Sequence, residues 1–193
     1  SYDATEYVGP FTITESTVVK AIAYDNDIVE SEIVTAEFTI SQATDNGYPL
    51  PFEEEFDNGA GSFSVEDGGD VSIWGSYEYA GDKGMQATGY INKSYYEAEA
   101  WLISPVIDLT KVQGATMTVT EEVNKYFGNA NEEATIWVRE AAATHAGDWV
   151  QLPVTHPTVD ASKTWSAVTP IELGLNDFAG KTVQVGFKYT STS

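Results

Sequence analysis

The sequence has no cysteine, few basic residues and no helical periodicity, and each shortage removes a class of chemistry. Without cysteine there is no disulfide, no thiolate zinc centre and no thiol nucleophile. Nine Lys and Arg stand against thirty Asp and Glu, a net charge of −21. A surface of that sign repels phosphate backbones and anionic bilayers, so nucleic acid is not an expected partner. No run reaches the roughly 18 to 20 apolar residues of a membrane span, and direct membrane insertion of this segment is not expected. The chain opens at Ser1 without a Met or an apolar leader, as a processed protein or a fragment would.

Catalytic motifs are missing as well. There is no Gly-x-Ser-x-Gly elbow, His-Glu-x-x-His, phosphate-binding loop or dinucleotide fingerprint. The two histidines, His145 and His156, lie in the loop-like stretches AAATHAGDW and VTHPTVD, the usual setting of solvated spectators. A glycosidase-like carboxylate pair stays open only because thirty acids place some pair at about 5 to 9 Å by chance. The expectation is a protein that is not an enzyme.

What is present is β-patterned. With 193 residues and 42% hydrophobic content the chain can bury a core as one large or two smaller domains. Short β-type runs at 11–14, 17–24 and 33–40 form a small β unit over residues 1–41. The stretch QATDNGYPLP carries an Asn-Gly turn and two prolines and reads as a linker over 42–50. From 51 to 193 strand-like runs recur at 62–66, 71–79, 101–104, 115–123, 134–140, 149–152 and 182–189. In the last of these Val183, Val185, Phe187 and Tyr189 share one face and Thr182, Gln184, Gly186 and Lys188 the other. Many short strands separated by Gly, Pro, Asn and Asp predict an all-β fold, a β-sandwich or jelly roll.

Two stretches carry family resemblances. Tyr7-Val8-Gly9-Pro10-Phe11-Thr12-Ile13-Thr14, continuing to Tyr24, resembles the chitobiase/β-hexosaminidase C-terminal type of domain, which implies a partial Ig-like unit lacking its first strand. Beyond the linker, Pro51-Phe52-Glu53-Glu54-Glu55-Phe56, the run Glu66 to Trp74, Trp101-Leu102-Ile103-Ser104-Pro105-Val106-Ile107-Asp108-Leu109 and Phe178-Ala179-Gly180-Lys181 resemble the choice-of-anchor and cleaved-adhesin jelly rolls of secreted bacterial surface proteins. That resemblance implies an extracellular or cell-surface jelly-roll module with a last strand beyond Ser193. It implies a class of protein more than a ligand.

Two kinds of candidate site follow from the residues. If Phe52 and Phe56 point inward, alternation turns Glu54 inward too, and a buried carboxylate needs a partner, a proton or a cation. With so few bases, calcium is a plausible counter-charge, bound by Glu54 and Asp57 with Asp67 and Asp70 of the Asp-Gly-Gly-Asp turn; the alternative is Glu54 near an edge, reaching water or a backbone N–H. If Ile136 and Val138 face inward, Trp137 faces outward with Thr135 and Arg139, a candidate ligand platform unless a loop covers it. Trp74, Tyr77, Tyr95 and Tyr96 could line a second, loop-end site, or equally be strand residues that pack with their polar ends at the surface. The expected function is a binding or adhesion module for carbohydrate or an extracellular protein; the alternative is a structural spacer or accessory domain of a larger surface protein or glycoside hydrolase. The sequence does not indicate an oligomeric state.

Overall fold

The computed structural model describes residues 5–13, 16–23, 31–38, 44, 46–69, 71–124, 129–142 and 145–191. The chain divides into two compact units, Ser1–Gln42 and Ala43–Ser193. In the first, β1 (Thr17–Ala21) pairs antiparallel with β2 (Val34–Phe38), from Thr17 opposite Phe38 to Ala21 opposite Val34.

The second unit is built on strands throughout. In chain order these are β3 (Tyr48–Pro49), β4 (Ser64–Asp67), β5 (Trp74–Tyr79), β6 (Asp82–Ala87), β7 (Tyr90–Ile91), β8 (Ser94–Tyr95), β9 (Ala98–Ile103), β10 (Ile107–Asp108), β11 (Thr116–Glu121), β12 (Ala134–Ala142), β13 (His145–Ala146), β14 (Val150–Leu152), β15 (Thr169–Gly174) and β16 (Thr182–Ser191). A single helical turn, α1 (Ala130–Glu133), leads into β12.

β16 is the spine of the main sheet. Along one side it pairs antiparallel with β12, from Ala134 opposite Tyr189 to Glu140 opposite Val183. Along the other it meets first β9 and then β10. Between them Ser104 keeps the ladder closed: its N–H donates to the Val185 carbonyl and its Oγ accepts from the Val185 N–H, both at 2.8 Å. That jog explains the Ser-Pro in the middle of the Trp101 to Leu109 run. β4 extends the sheet beyond β9, and β14 and β13 extend it beyond β12.

The inward face of this sheet carries Val183, Val185, Ile136 and Val138, all buried. Against them packs the β11–β15 ribbon, where Met117 lies opposite Leu173 and Val119 opposite Ile171 on the core side. Two layers enclosing one apolar core make the all-β sandwich that the alternation predicts. A smaller cluster of Ile73, Ala100 and Tyr189, joined by Trp74 and Ile91, seats the β5–β6 and β7–β8 hairpins on the same inner side.

Residues 43–50 fall in the second unit. Gly47, at φ 105, brings the chain against the Val106 carbonyl so closely that a Cβ would sit 2.4 Å from it, and Tyr48 then donates its N–H to that carbonyl and pairs parallel with β10. Residues 52–56 are not a strand. Phe52, Glu54 and Phe56 are the half-buried members, as alternation requires, but the segment joins no ladder and turns at Phe56, at φ 59. Its rings close the edge of the core: Phe63 lies 5.1 Å from Phe56, 6.3 Å from Phe52 and 6.2 Å from Phe187.

Candidate ligand-binding face

The side of the main sheet turned away from the core is set by the same registers. Lys188 on β16 lies opposite Trp101 on β9 and Thr135 on β12, Gly186 lies opposite Trp137, and Gln184 lies opposite Arg139. Paired residues share a face, so these side chains stand together on the outer surface. Trp149, just before β14, joins them beside Arg139.

At the centre is Gly186, a glycine in the middle of the central strand, where a missing side chain normally weakens a sheet. Here two indoles fill the gap. Trp101 leans in from β9 and Trp149 from the opposite edge, stacked with centroids 5.1 Å apart and planes at 25°. Both touch the space a Cβ would take, at 2.9 Å from the Trp101 Cε3 and the Trp149 Cη2. Trp137 lies 6.0 Å from Trp101, tilted by 55°, and is fixed by its Nε1–H donating to Thr135 Oγ1 at 2.8 Å. All three tryptophans are half-buried.

Cations close both ends of the stack. The Arg139 guanidinium sits 4.5 Å above the Trp149 ring, and the Lys188 ammonium 5.4 Å from the Trp101 centroid and 6.0 Å from that of Trp137. Each cation is held in place. Arg139 donates from Nε (3.1 Å) and Nη2 (2.8 Å) to Gln184 Oε1, while Gln184 Nε2 donates to the Ser104 carbonyl. Lys188 pairs with Glu99 at 2.7 Å, and that hydrogen bond holds the Glu99 carboxyl below its ordinary range against the opposing effect of burial. The face therefore offers indoles and amides, with the Lys188 charge paired by Glu99 and the Arg139 guanidinium hydrogen-bonded to a neutral amide.

The other predicted residues are dispersed. Glu54 turns inward, but its carboxylate is met by a loop: Oε2 accepts from the Ser62 N–H and Oγ at 2.9 Å each, and Oε1 from the Phe56 N–H at 3.3 Å. Gly61, at φ 56, leaves room for it, since a Cβ there would meet both carboxylate oxygens. Asp57 is exposed, Asp67 accepts from the Ile73 N–H at 3.1 Å, and Asp70 lies outside the described residues. Among the described residues no three carboxylates or imidazoles gather as a metal set.

Trp74 and Tyr77 lie on β5, with Trp74 in the inner cluster and Tyr77 6.3 Å from Trp165. Tyr95 is exposed against Tyr90, and Tyr96 binds the Gly89 carbonyl through its N–H. None of these four shares the face of Trp137. The His145 side chain lies outside the described atoms. His156 is no solvated spectator: it is 6% exposed and bonded at both ring nitrogens. Trp149, Gly186 and Lys188 are functional candidates that sequence reasoning misses, because nothing local shows that they converge.

Among known proteins, the family model described as Fn3 associated matches residues 1–38. No curated protein matches the chain. The K1 cleaved adhesin domain of Lys-gingipain from Porphyromonas gingivalis W83 is similar in structure, at 16% identity over 72% of this chain and 88% of that one, with a TM-score of 0.48. The K3 domain of the same protein gives 19%, 74%, 91% and 0.47. A structure described as showing the promiscuous specificity of carbohydrate-binding modules of the β-sandwich superfamily gives 17% identity, 92% of this chain, 69% of that one and a TM-score of 0.41.

Proposed function

We propose that this chain is a non-catalytic binding module acting outside the cell, and that it holds an uncharged carbohydrate on the outer face of its main sheet. The observation that carries this is the convergence of Trp101, Trp137 and Trp149 from three separate segments onto one solvent-facing patch. Indoles take the C–H faces of a pyranose, and the amide of Gln151, opposite Trp137 on β14, adds hydrogen-bonding capacity for hydroxyls. Charge supports an uncharged ligand. Lys188 and Arg139 are engaged by Glu99 and Gln184, and a uronate or sulfate would approach a protein of net charge −21. Absence of catalysis is supported by His156, whose ring nitrogens are both occupied within the protein.

The test is a screen of neutral and acidic glycans followed by calorimetry with wild type and Trp137→Ala. Binding of a neutral glycan weakened at least tenfold by the substitution is expected, about 1.4 kcal/mol. Binding indifferent to Trp137, or confined to acidic glycans, would refute the site. One observation favours a second reading, a structural spacer: Arg139 and Lys188 already cover ring faces of Trp149 and Trp101. Silence toward every glycan would establish that reading instead.

A further inference from the structure

A histidine that shares no hydrogen-bond partner with the aromatic face carries a different message. The His156 ring lies 2.6 Å from the Glu121 carboxylate through Nδ1 and 2.7 Å from the Ala134 carbonyl oxygen through Nε2. A neutral imidazole has one N–H and one lone pair, so either tautomer would press a lone pair against an oxygen at one of these distances. With Glu121 ionised, only the doubly protonated ring satisfies both. The His156 N–H also donates to Asn131 Oδ1 at 3.1 Å. One residue thus ties its segment to the end of β11, to α1 and to the start of β12.

We infer that His156 is a buried imidazolium acting as a pH-operated latch, and that loss of its proton frees the segment 153–163 while the sandwich stays folded. The ionisable groups around it favour the proton. By charge Glu121 at the end of β11, Glu122 just beyond it, Glu132 and Glu133 on α1 and Asp160 on its own segment act for the proton, and Lys163 on that segment acts against it. The Glu121 hydrogen bond is the largest influence raising the His156 pKa above its usual value, opposed by burial and helped by the Glu121 charge and the Ala134 carbonyl. The segment has somewhere to open: it forms one wall of a cleft of about 320 Å³ that is otherwise lined by Val123, Asn124, Asn129, Ala130 and Asn131. The sign follows from a raised folded-state pKa. The latch is fully closed below about pH 6.5 and is lost as pH rises through the folded value.

Nitrogen-15 NMR of the whole chain reads both parts of this inference, with His145→Gln assigning the two imidazoles. At pH 6 both His156 ring nitrogens carry protons, and one is lost with a midpoint above the ordinary imidazole value. Above its midpoint, amide exchange in 153–163 accelerates at least tenfold beyond the ordinary base-catalysed increase, while β12 and β16 remain protected. Glu121→Gln lowers the midpoint by at least one pH unit and moves the onset of opening with it. A His156 midpoint at or below the ordinary imidazole value, or opening whose onset does not follow that midpoint, would overturn the latch.

Discussion

Replacing Gly186 with alanine probes the aromatic face by adding one methyl group. Two effects oppose each other. Alanine in a strand interior gains about 0.5 to 1 kcal/mol over glycine through the lower entropy of the unfolded chain. Against that, the new Cβ falls 2.9 Å from both the Trp101 Cε3 and the Trp149 Cη2, and 3.0 Å from the Trp101 Cζ3. Carbon atoms pack best at about 3.5 to 4.0 Å, so two indoles must each withdraw by more than half an ångström. Neither moves easily, since Trp149 lies between Trp101 and Arg139, and Trp101 carries Lys188. Overpacking of this kind costs about 1 to 3 kcal/mol, and a lost aromatic pair about 0.5 to 1.5 more. The steric side wins, with a net loss of about 1 to 3 kcal/mol. For a unit of this size each kcal/mol lowers Tm by about 2 to 4 °C, so calorimetry should show a fall of roughly 3 to 10 °C, with weakened near-ultraviolet circular dichroism from the parted indoles. Gly75→Ala is the matched control: Gly75 also lies in a strand, on β5, and has nothing within 4 Å of its would-be Cβ. It should be neutral or slightly stabilising. A Gly186→Ala protein that melts as high as wild type would refute the packing argument.

Other features give separate outcomes. Glu54→Gln removes the charge from an acceptor of three hydrogen bonds and is expected to destabilise by about 1 to 2 kcal/mol, measured by urea unfolding. Because those donors already answer the Glu54 carboxylate, EDTA should leave the melting temperature unchanged, whereas a fall reversed by added calcium would reveal a bound cation. The Glu99–Lys188 pair is partly exposed, so Glu99→Gln should cost less than about 1 kcal/mol and its effect should shrink in 0.5 M salt. As the Glu99 pKa is lowered by folding, its contribution is present above the unfolded value and fades as pH falls through the folded one, the opposite direction to His156.

Alternation made the main sheet legible. In β16 the residues Val183, Val185, Phe187 and Tyr189 fall on the core side, and in β12 Ile136 and Val138 do the same, which is why Trp137 could be assigned to the outer face from its neighbours alone. Strands held together by turns rather than by apolar pattern escaped. β6 reads DKGMQA, too polar and glycine-bearing to announce itself, and pairs with β5 because Ala80 and Gly81 both take positive φ in the tight turn between them. β7 and β8 are joined in the same way through Asn92 and Lys93. β15 carries Pro170, which argues against a central strand, and its only pairing is with β11 among the described residues.

The residues that matter most for function were hidden by a different limit. Alternation says which face a side chain takes, but its neighbours on that face are decided by register between strands distant in sequence. Trp101, Trp137, Trp149 and Gly186 span 86 residues of chain and meet only because β9 and β12 flank the same stretch of β16. Gly186 in isolation looks like a flaw in a strand; beside two indoles it is the opening that lets them close over the sheet. His156 follows the same logic on the opposite ribbon. Its loop context, rich in Thr and Pro, signals exposure, and only the placement of Glu121, 35 positions earlier, turns it into a buried cation. In both cases the chemistry belongs to a contact between segments, so its test has to act on the contact: Gly186→Ala for the indoles, Glu121→Gln for the imidazole.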